Sequence, residues 1–394
     1  MNYANNLRKN ISFFLFLYIF AKKIVPLYRN FYLLNMNHHL LHDKLIDWYE
    51  LNHRILPWRE TDNPYKIWIS EIILQQTRVA QGMEYYMRFV ERFPDVESLA
   101  NAAEDEVLLY WQGLGYYSRA RNLHAAAKIA ASSGVFNKVQ DSSILYDQLR
   151  SLPGIGDYTA GAIASFAFNL PYPALDGNVY RVLSRLYDCE IAFDTTEGKK
   201  HFRRLAEELL DRERPRLFNS AIMELGALHC VPTAPDCHTC PLNTWCKALD
   251  NNTVELLPVR KPRPKVRDRY LEYTIYITPE RTTLIHQRKG NDIWKHLWEF
   301  PLKESPIPYS EASNSPQGVQ YPIAALAASN SAASCNLTHV LSHQKLHARF
   351  VIKNVPELPD IPDTLVVSLS DLDNYAFSRL TLNAIEKLLI TYHS

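Results

Sequence analysis

Four cysteines within 17 residues, Cys230, Cys237, Cys240 and Cys246, constrain this chain more than any other feature. Their spacing is x6-x2-x5, while Cys189 and Cys335 stand alone. A chain of 394 residues can bury a sizeable core and has no need of disulfide stapling. Clustered thiols in such a chain read as metal ligands. Four thiolates this close together can wrap a single inorganic centre, and on spacing alone zinc and iron–sulfur both fit. Zinc ribbons usually carry two CxxC knuckles, and here only Cys237–Cys240 forms one. Either centre would order the segment from Pro232 to Lys247, which has too few apolar residues to pack itself.

From His38 to about Asp250 apolar residues recur at three- and four-residue spacing, which predicts an all-α region. The pattern is strongest over Glu71–Phe93, Glu104–Ser118, Arg119–Ser132, Gly156–Phe168 and Gly177–Tyr187. Composition then shifts. Val259–Arg269 carries six basic residues, one acid and two prolines and reads as an extended basic linker, either a solvated tether or a strap along a nucleic-acid backbone. Strand-like alternation follows over Tyr270–Ile277, Thr283–Arg288, Leu297–Leu302 and Leu346–Lys353, with a last helix expected over Ser378–Tyr392. Glu304–Cys335 is rich in Ser, Ala, Asn and Pro and reads as a loop excursion.

The first 35 residues stand apart. Ile11–Ala21 is apolar between Lys9 and Lys22–Lys23, too short to span a membrane and without a clean small-residue cleavage site. A start at Met36 and a cytoplasmic protein are the expectation. Net charge is only +1, which excludes a strongly basic whole-molecule field and leaves any nucleic-acid contact to local patches.

Two motifs carry chemistry in the helical region. Leu152-Pro153-Gly154-Ile155-Gly156-Asp157 places two glycines around one apolar residue between two helices. That permits a tight turn with backbone N–H groups exposed at the next helix N-terminus, a ready anion site. Glu71 lies in the largely apolar stretch Trp68–Val79, where a carboxyl is either on the solvent face or kept neutral for a purpose. Asp176 precedes the helix that starts at Gly177, and by itself it would be an N-cap.

The cysteine spacing is similar to the [4Fe–4S] loop of the endonuclease III superfamily of DNA glycosylases. The LPGIG turn followed by Thr159-Ala160-Gly161 resembles the helix-hairpin-helix, which in that superfamily grips DNA phosphates, often with a monovalent cation on its carbonyls. WxSEIxLQQTRV, with Pro57-Trp58-Arg59 before it and Gly113-Leu114-Gly115-Tyr116-Tyr117-Ser118-Arg119 after it, resembles the adenine glycosylases (the MutY family), and the resemblance runs from about His42 to Cys246. It implies base flipping and hydrolysis of a purine N-glycosidic bond, chemistry that needs one protonated acid and one carboxylate beside a cationic sugar.

Residue by residue, the resemblance makes Glu71 the acid at adenine N7. Asp176 stabilises the sugar, supported by Tyr158 and Asn178. Gln76 and Tyr116 fill the stack where the base leaves, and Thr77, Leu114, Arg119, Gly154 and Gly156 join the DNA contacts. Arg54, Leu56, Trp58, Arg59, Val79 and Glu224 match positions lining the adenine pocket, although Leu56 and Val79 equally suit a core. Where relatives that also cut the strand carry an imine-forming lysine, this chain has Tyr158, so a glycosylase without efficient lyase activity is expected.

Trp294–Pro301 and the strand pattern around it resemble the Nudix-like domain of the same family, which recognises 8-oxoguanine opposite the adenine. The glutamates of the Nudix catalytic signature are not visible. His339-Val340-Leu341-Ser342-His343 matches the family's Phe-Ser-His loop, with Leu341 in the aromatic position and Ser342 and His343 left to contact the oxidised guanine. The expected fold class is therefore an all-α helix-hairpin-helix glycosylase core with a [4Fe–4S] loop, plus a C-terminal α+β Nudix-like domain. Its expected parts are residues 1–35 as an extension, 36–250 as the glycosylase region, 251–269 as the linker and 270–394 as the Nudix-like domain. The expected partner is double-stranded DNA with adenine opposite 8-oxoguanine or guanine, bound by a monomer. A mismatch glycosylase for another base, a non-catalytic iron–sulfur protein and a zinc scaffold are the competing readings.

Overall fold

A computed structural model describes residues 38–136, 142–262, 266–308 and 333–389. The N-terminal apolar segment and most of the expected loop excursion lie outside the described residues. Among the described residues no helix is long and apolar enough to cross a membrane. The described chain forms two compact units that interleave in sequence.

The first unit takes residues 38–64, 142–146 and 156–261 of the described chain. It holds α1 (residues 38–52), most of the residues that follow the hairpin, and the cysteine loop. Its helices after the hairpin are α8 (Asp157–Phe168), α9 (Gly177–Tyr187), α10 (Thr196–Leu209) and α11 (Pro215–Leu228), with the short α12 (Lys247–Asp250) beyond the cysteines. Their apolar faces meet around Leu45, Leu183, Phe202, Phe218 and Leu225, all buried. Side chains open these helices: the Asp176 carboxylate caps the N-terminus of α9, as its position before Gly177 predicts, and the Thr195 hydroxyl caps that of α10.

The second unit takes the described parts of 65–140, 147–155 and 262–394. Its helices are α2 (Pro64–Leu74), α3 (Val79–Arg92), α4 (Val96–Asn101), α5 (Glu104–Trp111) and α6 (Ser118–Ser133), followed by the C-terminal half of α7 (Ser142–Ser151). Trp68, Phe89, Phe93 and Trp111 make their core. The helical pattern over Glu71–Phe93 is broken where none was expected: α2 ends at Leu74 and α3 starts at Val79. Between them Gln76 takes the left-handed conformation, φ 58°. The two helices then meet closely at Gly82, where a Cβ would lie 2.7 Å from Leu74 Cδ2. The pattern over Glu104–Ser118 likewise stops at Trp111, because Gly113 turns the chain at φ 97°.

The strands of this unit form two sheets, ordered β4-β1-β6-β5 and β3-β2-β7. Here β1 is Arg267–Ile277, β2 Thr282–Gln287, β3 Trp298–Glu299, β4 Leu302–Ser305, β5 Ser334–Val340, β6 Gln344–Asn354 and β7 Leu365–Ser368. The long strands β1 and β6 run parallel, with Tyr273 opposite Phe350 and Ile275 opposite Ile352. These four residues are buried, in keeping with a central parallel pair covered on the core face. The expected stretch Leu297–Leu302 resolves into two short strands, β3 and β4. β5 and β7 had no clear signal. β5 alternates only between exposed and half-buried positions, as an edge strand does, and β7 is four residues long. The last helix, α13, runs Arg379–Leu389.

The expected linker is shorter than 251–269. Val254–Leu256 forms a 3-10 turn, and the Phe193 N–H donates to Val259 O while the Lys261 N–H donates to the Asp194 carboxylate. At its other end Arg267 already belongs to β1, donating its N–H to His343 O. Within the second unit the strands are tied to the helices by specific bonds. The Phe377 N–H donates to the Gln112 amide oxygen at 2.8 Å, the Tyr117 hydroxyl donates to Phe377 O, and His296 Nδ1 lies 2.5 Å from the Glu104 carboxylate.

Candidate active site

In the first unit the hairpin residues turn into α8 at Gly156, whose exposed backbone serves as N-cap with no side-chain cap in place. A helix N-terminus of this kind favours negative charge. Gly154, on the preceding turn, needs its missing side chain: φ is 78°, and a Cβ there would sit 2.8 Å from Asn122 Cβ. Tyr158 is half-buried in the first turn of α8.

Asp176 begins α9. Its carboxylate accepts from the Val179 N–H at 2.8 Å and from the Asn178 amide at 2.8 Å. Burial pushes the Asp176 carboxyl above its ordinary value, and these two bonds work against that by favouring the charged form. Asn178 is held in turn. Arg181 donates to the Asn178 amide oxygen at 2.9 Å, to Gly226 O at 2.6 Å and to Cys230 O at 2.7 Å. A run of bonds thus joins Asp176 to the first cysteine.

Sequence reasoning did not single out Arg181, or Arg185 one turn later. Their signal was there: two arginines four apart on an amphipathic helix, following the Asp at a spacing that turns them inward. Arg185 is 2% exposed and donates to Val231 O, Pro232 O and the Cys230 sulfur.

Cys230, Cys237, Cys240 and Cys246 line one cavity together with Arg185, His229 and Asp236. None of them forms a disulfide. Burial pushes the Cys240 thiol up to about 12, so a thiolate there calls for a bound cation. The donor set of four sulfurs spread around a cavity fits a multi-atom cluster.

Glu224 on α11 is fully buried and meets both Arg54 and Arg59. The Arg54 Nε donates to it at 2.6 Å and its Nη2 at 2.9 Å, and Arg59 Nη1 lies 3.0 Å away. Burial alone would push this carboxyl up, but the Arg54 bonds and the Arg59 charge outweigh it and hold it below its ordinary value. The arginines are thereby aimed by an ionised acid. Leu56 and Trp58 are buried beside them in sequence.

In the second unit, Glu71 sits on α2, seven of whose other residues are also buried. Gln76 is exposed after the end of that helix, Thr77 follows with its N–H donated to Leu74 O, and Val79 opens α3. Tyr116 is exposed and left-handed at φ 47°, with Leu114 buried just before it. The hydroxyls of Tyr116 and Ser342 share a hydrogen bond of 2.8 Å across 226 residues of sequence. Leu341 and the exposed His343 flank Ser342 at the β5–β6 turn, closed by the Leu341 N–H donating to Gln344 O. Arg119 is half-buried and its guanidinium is committed to backbone carbonyls rather than presented to solvent.

Residues 69–212 match the HhH-GPD superfamily of base excision DNA repair proteins, and residues 273–387 match the NUDIX domain. The chain is 36% identical to the adenine DNA glycosylase of Buchnera aphidicola subsp. Baizongia pistaciae, over 66% of this chain and 73% of that protein. It is 34% identical to the Arabidopsis thaliana adenine DNA glycosylase over 65% of this chain and 46% of that one. Against the Homo sapiens adenine DNA glycosylase it is 41% identical, over 52% and 38% respectively. A solved thermostable thymine-DNA glycosylase superposes with a TM-score of 0.49 at 24% identity, covering 55% of this chain and 98% of its own.

Proposed function

The chain belongs to the adenine DNA glycosylase family, and from that premise we propose that it removes adenine mispaired with 8-oxoguanine, or less readily with guanine, without cutting the strand. The observation that carries the mechanism is a pair of withdrawn carboxyls in unlike settings: Glu71 within the apolar α2, and Asp176 held at the N-terminus of α9.

Glu71 donates its proton to N7 of the extruded adenine. The C1′–N9 bond then breaks, its electron pair leaves with the neutral base, and the sugar becomes an oxocarbenium-like cation. The Asp176 carboxylate stabilises that cation, with Asn178 and the Val179 N–H holding it in place. Water adds at C1′ and gives up a proton to Glu71, which restores the acid. Tyr158 stands beside this chemistry without an amine, so no imine forms and no strand cleavage follows. Arg54 and Arg59, fixed by Glu224, edge the adenine pocket with Trp58. Gln76 and Tyr116 occupy the gap in the stack, and the hydrogen bond from Tyr116 to Ser342 supports placing the Leu341–His343 loop at the opposite base. Leu341 offers a smaller contact there than the family's aromatic residue. Gly154 and Gly156 hold the duplex by its phosphates.

The four cysteines would hold a [4Fe–4S] cluster, which supplies order to the loop when bound. Arg181 and Arg185 tie that loop to α9. Iron and acid-labile sulfide in equal amounts per purified chain are expected, and zinc without sulfide would refute the assignment.

The direct test is single-turnover cleavage of a duplex with adenine opposite 8-oxoguanine, worked up with and without hot alkali. Wild type is expected to release adenine and to break strands only after alkali, while Glu71→Gln releases none. Equal rates for the two proteins would remove Glu71 from the mechanism.

A further inference from the structure

The guanidinium of Arg119 reaches five carbonyls. Nη1 donates to Ile72 O at 2.8 Å, Ile73 O at 3.1 Å and Gln75 O at 2.6 Å, and Nη2 donates to Leu114 O at 3.4 Å and Gly115 O at 3.2 Å. The carbonyls of Ile72 and Ile73 lie in the last turn of α2 and that of Gln75 just beyond it, at a helix end whose carbonyls turn to partners outside the helix. The other two belong to the glycine turn after α5. Arg119 also lies over two rings, 5.2 Å from the centre of Trp111 and 5.7 Å from that of Tyr116.

The residues that follow these two sets of carbonyls are Gln76 and Tyr116. Both are left-handed, at φ 58° and 47°, conformations that side chains other than glycine hold only when the surroundings over-determine them. A planar fork with donors on both nitrogens can bridge two turns at once, and an ammonium cannot. Burial also lowers the Arg119 guanidinium to about 10. A lysine side chain, starting from a lower value, would be disfavoured as a cation in the same place.

We propose that Arg119 is a positioning residue that locks Gln76 and Tyr116 into one wedge, so that the two fill the base stack together. The proposal rests on the reading that Gln76 and Tyr116 occupy the gap left by the extruded adenine. A direct phosphate contact by Arg119 is the alternative, and it would require the fork to abandon its carbonyls.

The test is a double-mutant cycle on the full chain. Arg119→Gln is placed in the wild-type background and in a Gln76→Ala/Tyr116→Ala background. Each protein is assayed for 2-aminopurine fluorescence on flipping, for single-turnover adenine release and for affinity to a matched duplex. Arg119→Gln is expected to slow flipping and release by about tenfold or more in the wild-type background, the scale of a small misplacement of catalytic parts. It should add almost nothing once both wedge side chains are gone, and matched-duplex affinity should stay unchanged. An equal slowing in both backgrounds would overturn the proposal, as would a wild-type rate for Arg119→Gln beside a slow wedge variant. A weakened matched-duplex affinity with a shallower salt dependence would make Arg119 a phosphate contact and likewise overturn it. Normal flipping by Gln76→Ala/Tyr116→Ala would instead defeat the wedge reading itself, and with it the proposal. Should Arg119→Gln not fold, Arg119→Lys enters the same cycle with the same expected non-additivity.

Discussion

The proposed mechanism requires an ionised Asp176, yet its burial favours the neutral form. The acid limb of the pH–rate profile is therefore expected above the ordinary range of an aspartate, with activity falling as pH drops through it. Asn178 donates to the charged form at 2.8 Å, so Asn178→Ala removes a bond that lowers this value. A hydrogen bond to a charged group is worth about 1.5 kcal/mol, which is about one pH unit. The limb should move to higher pH by that amount, and a limb that stays put or moves down would dissociate Asn178 from the carboxylate. Motif resemblance singled out Asp176 and Asn178, which a hydrogen bond joins. What it did not supply was their partner: Arg181 has the inward spacing on its helix, but the Gly226 and Cys230 carbonyls that fix it leave no mark on residue type.

At the scale of helices, α9 and α11 pack closely where Gly226 meets Asn178. A Cβ on Gly226 would lie 2.7 Å from Asn178 Cβ and 3.0 Å from its carbonyl oxygen. Part of that overlap is with backbone, so Gly226→Ala must shift the first turn of α9, where Asp176 caps the helix. Overpacking of this kind costs about 1–3 kcal/mol. The variant should lose stability in urea titration and also release adenine more slowly while binding duplex normally. A slowed rate without any stability change would point away from packing. Helix periodicity read α9 over Gly177–Tyr187, whereas α11 was covered only by the broad helical pattern from His38 to about Asp250. It missed the break between α2 and α3, because Gln76 enters a left-handed turn that glutamine does not advertise, and the apolar spacing continues across it. β5 was missed for a related reason: an edge strand with one half-buried face barely alternates.

On the scale of the whole molecule, net charge is +1, so DNA attraction must come from local groups. The basic run Val259–Arg269 offers candidates, and its members are not equivalent. Arg267 is exposed at the start of β1, whereas Arg269 is 8% exposed and paired with Asp292 and Glu304, each at 2.7 Å. Arg267→Ala is expected to weaken binding to any duplex and to reduce the slope of log affinity against log salt by about one. Arg269→Ala should leave that slope alone and destabilise the fold by about 1 kcal/mol, because the two carboxylates it leaves are exposed to water and Asp292 keeps its ion pair with Arg288. Urea melts and salt titrations of the two variants separate these outcomes, and a shared phenotype would mean that the run acts only as a tether.

The interleaving of the second unit sets a clock on its assembly. Helices α2 to α6 leave the ribosome by residue 133, but Gln112 and Tyr117 find their bonds to Phe377 only after about 240 further residues have been made. At about 5–20 residues per second that interval is tens of seconds. During it the first helices of the unit wait without their C-terminal cover, while the intervening residues build most of the other unit. Synthesis slowed between residues 136 and 377 would lengthen that exposure, so the yield of folded protein should depend on translation speed there more than anywhere else in the chain.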